Sequence, residues 1–216
     1  MNTPPNDPIP DSRQLTPQQI IPLLCEGEMT VLEMLPWSSN YTLLVQLQEG
    51  EYEFHGVYKP QRGERPLWDF PRGTLYRREV AAFYLSEALG WHVVPPTVER
   101  EGSHGIGMVQ FYVAHDPDAH FFTLRHPWTM PLTRIALFDI IANNADRKGG
   151  HLLRDISGHI WGIDHGLCFH HQPKLRTVIW DLAGQPIPAA LLEDLERVQR
   201  VLADRGELFN RLRAML

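Results

Sequence analysis

The sequence predicts a two-lobed α+β fold, an antiparallel-sheet lobe followed by a mostly helical lobe. Three observations carry that prediction. Strand-like runs crowd the first half, where YTLLVQLQ and YEFHGVYKP alternate apolar and polar residues on either side of the turn QEGE. One long helical pattern, LYRREVAAFYLSEALG, interrupts them, with Val80, Ala81, Tyr84, Leu85, Ala88 and Leu89 on one face and Gly90 as its cap. After about residue 115 helical periodicity takes over, in LTRIALFDIIANN, PAALLEDLERVQRVLADRG and ELFNRLRAML.

Taken in order, residues 1–15 are polar and proline-rich, which predicts a disordered arm and argues against a signal peptide. Thr16 then caps the helix TPQQIIPLLCEG, with Pro17 in its first turn and Gln19 completing a capping box. MTVLEML opens the sheet, and PWSSNYTLL turns the chain into the next strand. WHVVPPTVER and GIGMVQFYVAH are expected as two further strands, completing a sheet lobe over residues 16–114. The stretch from His115 to Pro127 is expected as the hinge, and residues 115–216 as the helical lobe, broken by the hairpin HLLRDISGHIWGI.

Composition limits the function classes. A chain of 216 residues with 43% hydrophobic residues can bury a core. Its net charge of -6, from 20 basic and 26 acidic residues, argues against a nucleic-acid partner. Cys25 and Cys168 give neither a disulfide framework nor zinc spacing, so each is expected as a small buried hydrophobe. No apolar run approaches the roughly 18 residues of a spanning helix, which predicts a cytoplasmic protein without integral membrane contact.

The chemistry concentrates in NADRKGGHLLRDISGHIWGIDHG, from Asn144 to Gly166. Asp146 precedes the hairpin and Asp164 follows it, so the hairpin brings both carboxylates to one cleft edge, where they would hold a metal and a phosphate. A salt-bridged surface turn is the competing reading. Upstream, Lys59 ends a strand and Glu79 begins the long helix. A strand lysine held by a helix glutamate grips nucleotide phosphates in kinases, although both residue types are also common on surfaces. Ser38, Ser39 and Asn40 would offer hydroxyls and N–H groups to phosphate oxygens, or form an ordinary polar turn. Arg62, Arg65 and Arg72 in the following loop, with Arg77 and Arg78 on the helix, predict a locally positive field for an anionic acceptor, against the alternative of a solvated basic loop. His165, His170 and His171 invite a zinc reading, but HExxH is absent and zinc hydrolysis ranks low.

NADRKGGHLL together with WGIDHGLCF resembles the phosphatidylinositol 3-/4-kinase superfamily, in particular its compact type II lipid kinases and their bacterial relatives. With GVYKPQRGERPLWDFPRGTLYRREVAA and KLRTVIWDLAG, nearly the whole chain after residue 16 is similar to short bacterial phosphatidylinositol kinase-like proteins. The resemblance implies a minimal kinase-like fold and ATP-dependent phosphotransfer, with Mg²⁺ or Mn²⁺ as the metal. Lys59 would bind phosphate with Glu79 as its partner, and Gln110, Phe111, Tyr112 and Val113 would form the adenine-binding linker. Asp146, followed by Arg147 and Lys148, would be catalytic, and Asp164 the principal metal ligand. Those kinases have an asparagine as second metal ligand, whereas His151 stands five residues after Asp146 here, a departure that favours Mn²⁺, removes the second metal site or gives His151 another role. The acceptor is expected to be soluble and anionic, either a small molecule or a protein. A regulatory pseudokinase and nucleotidyl transfer on the same fold are the alternatives.

Overall fold

Five strands form one antiparallel sheet in the computed structural model, which describes residues 17–35 and 41–216. They are β1 (Glu28–Met34), β2 (Leu43–Glu49), β3 (Tyr52–Pro60), β4 (Thr97–Gly102) and β5 (Gly105–Phe111), in the order β1-β2-β3-β5-β4. Glu49 pairs with Tyr52, so the predicted hairpin turns at Gly50 and Glu51, and Gly50 takes a φ of 60° that suits a residue without Cβ. The N-terminal arm and the Thr16 cap lie outside the described residues.

Alternation along β3 sets the two faces of the sheet. Phe54, Tyr58 and Pro60 are buried, and the first two join Leu43, Val45, Leu47 and Val109 in a core against Ile20, Leu23 and Leu24 of α1 (Pro17–Glu26). The intervening residues, Val57 and Lys59 among them, therefore face the opposite way. Gly107 lies opposite Pro60 in the register, and a Cβ there would stand 2.4 Å from the Lys59 carbonyl oxygen. Close packing of β3 on β5 at the lysine requires that glycine. Cys25, expected to be buried, is instead exposed near the end of α1, while Cys168 is buried as expected.

The long helix, α2 (Leu75–Leu89), ends at Gly90 in the left-handed conformation. It belongs to both halves of the molecule rather than to the sheet lobe alone. Tyr76 and Val80 pack with Met108 of the sheet, whereas Ala82, Phe83, Leu85 and Leu89 enter the core of the helical half. Residues 91–96, expected as the start of a strand, form a loop. Pro95 and Pro96 have no N–H for a ladder, and Ser86 Oγ instead accepts the N–H groups of Val93 at 2.8 Å and Val94 at 3.2 Å.

The helical half comprises α3 (Phe121–Leu124), α4 (Met130–Ile141), the hairpin β6 (Leu152–Arg154) and β7 (Ile160–Gly162), α5 (Ala189–Ala203) and α6 (Glu207–Met215). Arg197 of α5 donates to the last carbonyls of α2, those of Ala88 at 2.8 Å and Leu89 at 3.0 Å. The connector between the halves is laid against the hairpin, with His115 bridging Asp155 and the Asp116 N–H donating to the Arg154 carbonyl at 3.1 Å. Among the described residues, no helix is long and apolar enough to cross a membrane.

A buried ion pair holds the segment that follows α4 to that helix. Arg147 Nη2 and Nε meet Asp139 Oδ1 and Oδ2 at 2.8 and 2.9 Å, with both side chains fully enclosed. Arg147 Nη1 donates to the Ile163 carbonyl at 2.8 Å, and Asn144 Nδ2 donates to Asp139 Oδ1 at 2.9 Å. Removing one partner of such a pair leaves an uncompensated buried charge. Asp139→Ala should therefore cost about 3–5 kcal/mol of unfolding free energy in a urea titration, and a loss under about 1 kcal/mol would contradict the assignment.

Candidate active site

Three segments converge on one ammonium group. Lys59 Nζ, projecting from β3, lies 2.6 Å from Glu79 Oε1 of α2 and 2.9 Å from Asp164 Oδ1 just after β7. Glu79 uses its second oxygen to accept the His165 N–H at 2.8 Å. Asp164 adopts a φ of 62°, a left-handed conformation that aspartate tolerates better than most residues. Burial works against the Lys59 charge, but the Asp164 and Glu79 carboxylates outweigh it and raise the lysine pKa. In turn the ammonium holds Asp164 well below the usual carboxylate range, so that carboxylate is ionised at neutral pH.

Asp146 lines the same cleft, which has a volume of about 140 Å³ and is also bordered by Lys59, Glu79 and Asp164. The Asp146 N–H donates to Asn144 Oδ1 at 3.0 Å, so the buried Asp139–Asn144–Arg147 network fixes its backbone. Its carboxylate meets Lys148 at 2.8 Å and also pairs with Arg176. Arg176 is stitched alongside: its N–H donates to the Asn144 carbonyl, and its own carbonyl accepts the Arg147 N–H, both at 2.9 Å.

The structure separates several residues that the sequence reading placed together. Arg147, expected beside the reacting atoms, is only 2% exposed and points into the protein, so it positions the loop from below. Gln110, expected on the adenine linker, turns its amide to Thr97 Oγ1 at 2.8 Å. The N–H groups of Phe111 and Tyr112 bond Pro96 and His55 carbonyls at 2.8 and 3.0 Å, and the Val113 carbonyl meets His115 Nδ1 at 2.8 Å. Ser38, Ser39 and Asn40 lie outside the described residues.

The five arginines do not form one patch. Arg78 is buried, donating to the Cys168 carbonyl at 2.7 Å, and Arg77 pairs with Glu99 at 3.3 Å. Arg62 contacts His104, whereas Arg65 lines the cleft and Arg72 a neighbouring depression. Sequence reasoning missed Asp139, Asn144 and Arg176. A lone carboxylate inside the apolar run RIALFDII was the available signal for Asp139, because an unpaired charge does not persist in a core.

The donor set suits a divalent ion held jointly with a nucleotide. His151 Nε2 stands 3.4 Å from Asp164 Oδ2, a separation that two ligands of one ion can share, and burial lowers the histidine pKa to about 4, so it is neutral near pH 7. Among the described residues no group of three or more histidine, cysteine or acidic side chains is arranged for a metal. An ion here would complete its shell with phosphate and water oxygens, as Mg²⁺ commonly does in kinase sites.

The family model for phosphatidylinositol 3- and 4-kinase matches residues 78–214. Protein Rv2133c of Mycobacterium tuberculosis is 42% identical over 206 residues, covering 79% of this chain and 74% of that protein. Among solved structures, the Golgi casein kinase with Mn/ADP bound aligns at a TM-score of 0.53 and 12% identity, over 93% of this chain and 68% of that one. The Helicobacter pylori proinflammatory kinase CtkA also aligns at 0.53 and 12% identity, over 89% and 85% of the two chains. These structural likenesses show a shared kinase-like α+β fold. With the family model spanning more than half of its length, the chain belongs to the phosphatidylinositol 3- and 4-kinase family.

Proposed function

We propose that this protein transfers the γ-phosphoryl group of ATP to a soluble acceptor. One observation carries the reading: the Lys59 ammonium lies within 2.9 Å of both the Glu79 and the Asp164 carboxylates, in the cleft that Asp146 also lines. Lys59 would neutralise phosphate oxygens, with Glu79 holding its ammonium in place. Asp164, with neutral His151 beside it, would hold Mg²⁺ or Mn²⁺, which when bound would offset the charge of the phosphates. The imidazole favours Mn²⁺ of the two. Asp146 would orient the acceptor hydroxyl and take its proton.

A second reading draws on the contacts of Asp146. Its carboxylate is already engaged by Lys148 and Arg176, an arrangement that suits a nucleotide-binding module without turnover. Turnover requires an acceptor to compete with those cations. Both are largely solvent-exposed, so their pairs with Asp146 are weak enough to exchange.

Three outcomes follow for nucleotide and pH. ATP with a divalent ion, at about 100 times its dissociation constant, should stabilise the protein by about 2.7 kcal/mol, and Lys59→Met should remove most of that gain. No stabilisation by any nucleotide–metal pair would sink the proposal. Asp164→Asn should weaken metal-dependent ATP binding, whereas Asp146→Asn should spare binding and reduce turnover by about 100-fold or more. Equal loss of binding in the two variants would contradict this division of roles.

The pH prediction concerns the metal-free protein. His151 titrates near 6.5 when unfolded and at about 4 when folded, so below pH 6.5 the unfolded chain binds the extra proton. The stability His151 contributes is complete above that pH and is lost as pH falls towards 4. Urea titrations across this window should show a shallower acid slope in His151→Asn than in the wild type. Parallel slopes would place His151 in a solvated environment.

A further inference from the structure

The loop between β3 and α2 crosses from one half of the molecule to the other and returns. At its start the Tyr41 N–H donates to the Gly63 carbonyl at 3.3 Å, tying the loop to the strand edge above the cleft. At its far end it is fastened to the helical half. Lys174 Nζ meets Asp69 Oδ2 at 2.7 Å, and His170 Nε2 donates to the Asp69 carbonyl at 2.9 Å. Phe70 is buried there against the His170 ring, with ring centroids 5.0 Å apart. On its return, Glu64 Oε1 accepts the Tyr76 N–H at 2.8 Å and Gln61 Nε2 donates to the Gly73 carbonyl at 3.0 Å. The loop is a strap, bonded at both ends and in the middle.

Residues of the strap line the same cleft as Asp146. Leu67 from the strap, Leu75 and Tyr76 from α2, and Leu167 after Asp164 give apolar walls, and Arg65 adds a cation. Lys59, Glu79 and Asp164 border this chamber, and none of the linker residues 110–113 does. The chamber's volume of about 140 Å³ suits a small molecule.

We infer that this strapped chamber is the acceptor site and that it selects a small soluble alcohol bearing an apolar face and an anionic group. The inference rests on the phosphotransfer reading above and names its substrate class. In the step it serves, the acceptor oxygen bonds to the γ-phosphorus of ATP, the bond from that phosphorus to the β–γ bridging oxygen breaks, and ADP leaves. The hydroxyl proton passes to Asp146. The apolar walls take the carbon skeleton, and Arg65 takes the negative group.

The test supplies full-length protein, γ-labelled ATP and Mn²⁺ with three separate acceptor probes: casein, vesicles of phosphatidylinositol in phosphatidylcholine, and the low-molecular-mass filtrate of a bacterial extract. Label should enter the filtrate alone. Label in casein or the vesicles at a rate equal to or above that in the filtrate would overturn the inference. So would the absence of label in all three from protein that binds ATP, whereas failure to bind ATP would remove the parent reading as well. Leu67→Trp, which fills the chamber from the strap, should raise the KM for the labelled acceptor by roughly tenfold, a larger factor than its effect on the ATP dissociation constant. An unchanged acceptor KM in a variant that melts like the wild type would also overturn it.

Discussion

The Lys59 ammonium can be buried only when the sheet, the long helix and the loop after β7 are all in place. A half-enclosed cation loses hydration, and it is stable here because two carboxylates reach it from different segments, at 2.6 and 2.9 Å. Each element then acquires a duty. β3 must deliver the lysine at its end, which fixes the close approach of β5 through Gly107. α2 must keep Glu79 inward, and Asp164 must accept a left-handed backbone to face the same nitrogen. Positive charge at this point, beside an ionised Asp164, is what the proposed function would use to take phosphate and metal together.

The helical half supplies rigidity to that arrangement. α2 shares its core with α4 and α5 and is capped by Arg197, so Glu79 rides on a helix anchored to both halves. Beneath the cleft, the enclosed Arg147–Asp139 pair links α4, the segment after it and the carbonyl that precedes Asp164. Arg147 further donates to His165 Nε2 at 2.7 Å, and His165 donates its backbone N–H to Glu79. One continuous polar network therefore runs from the floor of the site to the lysine's partner, so the separation of the two aspartates is set by buried bonds.

Much of this was legible in the sequence because it follows from periodicity. The hairpin of β2 and β3, the apolar face of α2, and the helices α4 to α6 all obey patterns that burial enforces. Asp146 and Asp164 could be singled out by their spacing about the hairpin, whereas Lys59 and Glu79 stood out through the resemblance to kinases. What stayed hidden depends on contacts far apart in the chain. Nothing local distinguishes Arg147 from Lys148 beside it, yet Asp139 draws one inward while the other remains exposed. The arginines at 77 and 78 looked like a pair, but helix geometry turns one to Glu99 and the other to the Cys168 carbonyl. Residues 91–96 had strand composition, and two adjacent prolines with the Ser86 hydroxyl made a loop of them. The strap across the cleft was likewise invisible, since its fastening depends on Lys174 and His170, some 100 residues from Asp69.

The central claim is that the charge cluster around Lys59 exists to move the terminal phosphoryl group of a nucleotide. Incubating the protein and its acceptor pool with γ-labelled and, separately, α-labelled ATP distinguishes that claim from its rivals in one measurement. The account predicts that γ label appears in the acceptor product while all α label is recovered as ADP. Transfer of α label to the product would show that the nucleotidyl group moves instead, and ATP bound without transfer of either label would show a binding module, each result contradicting the account.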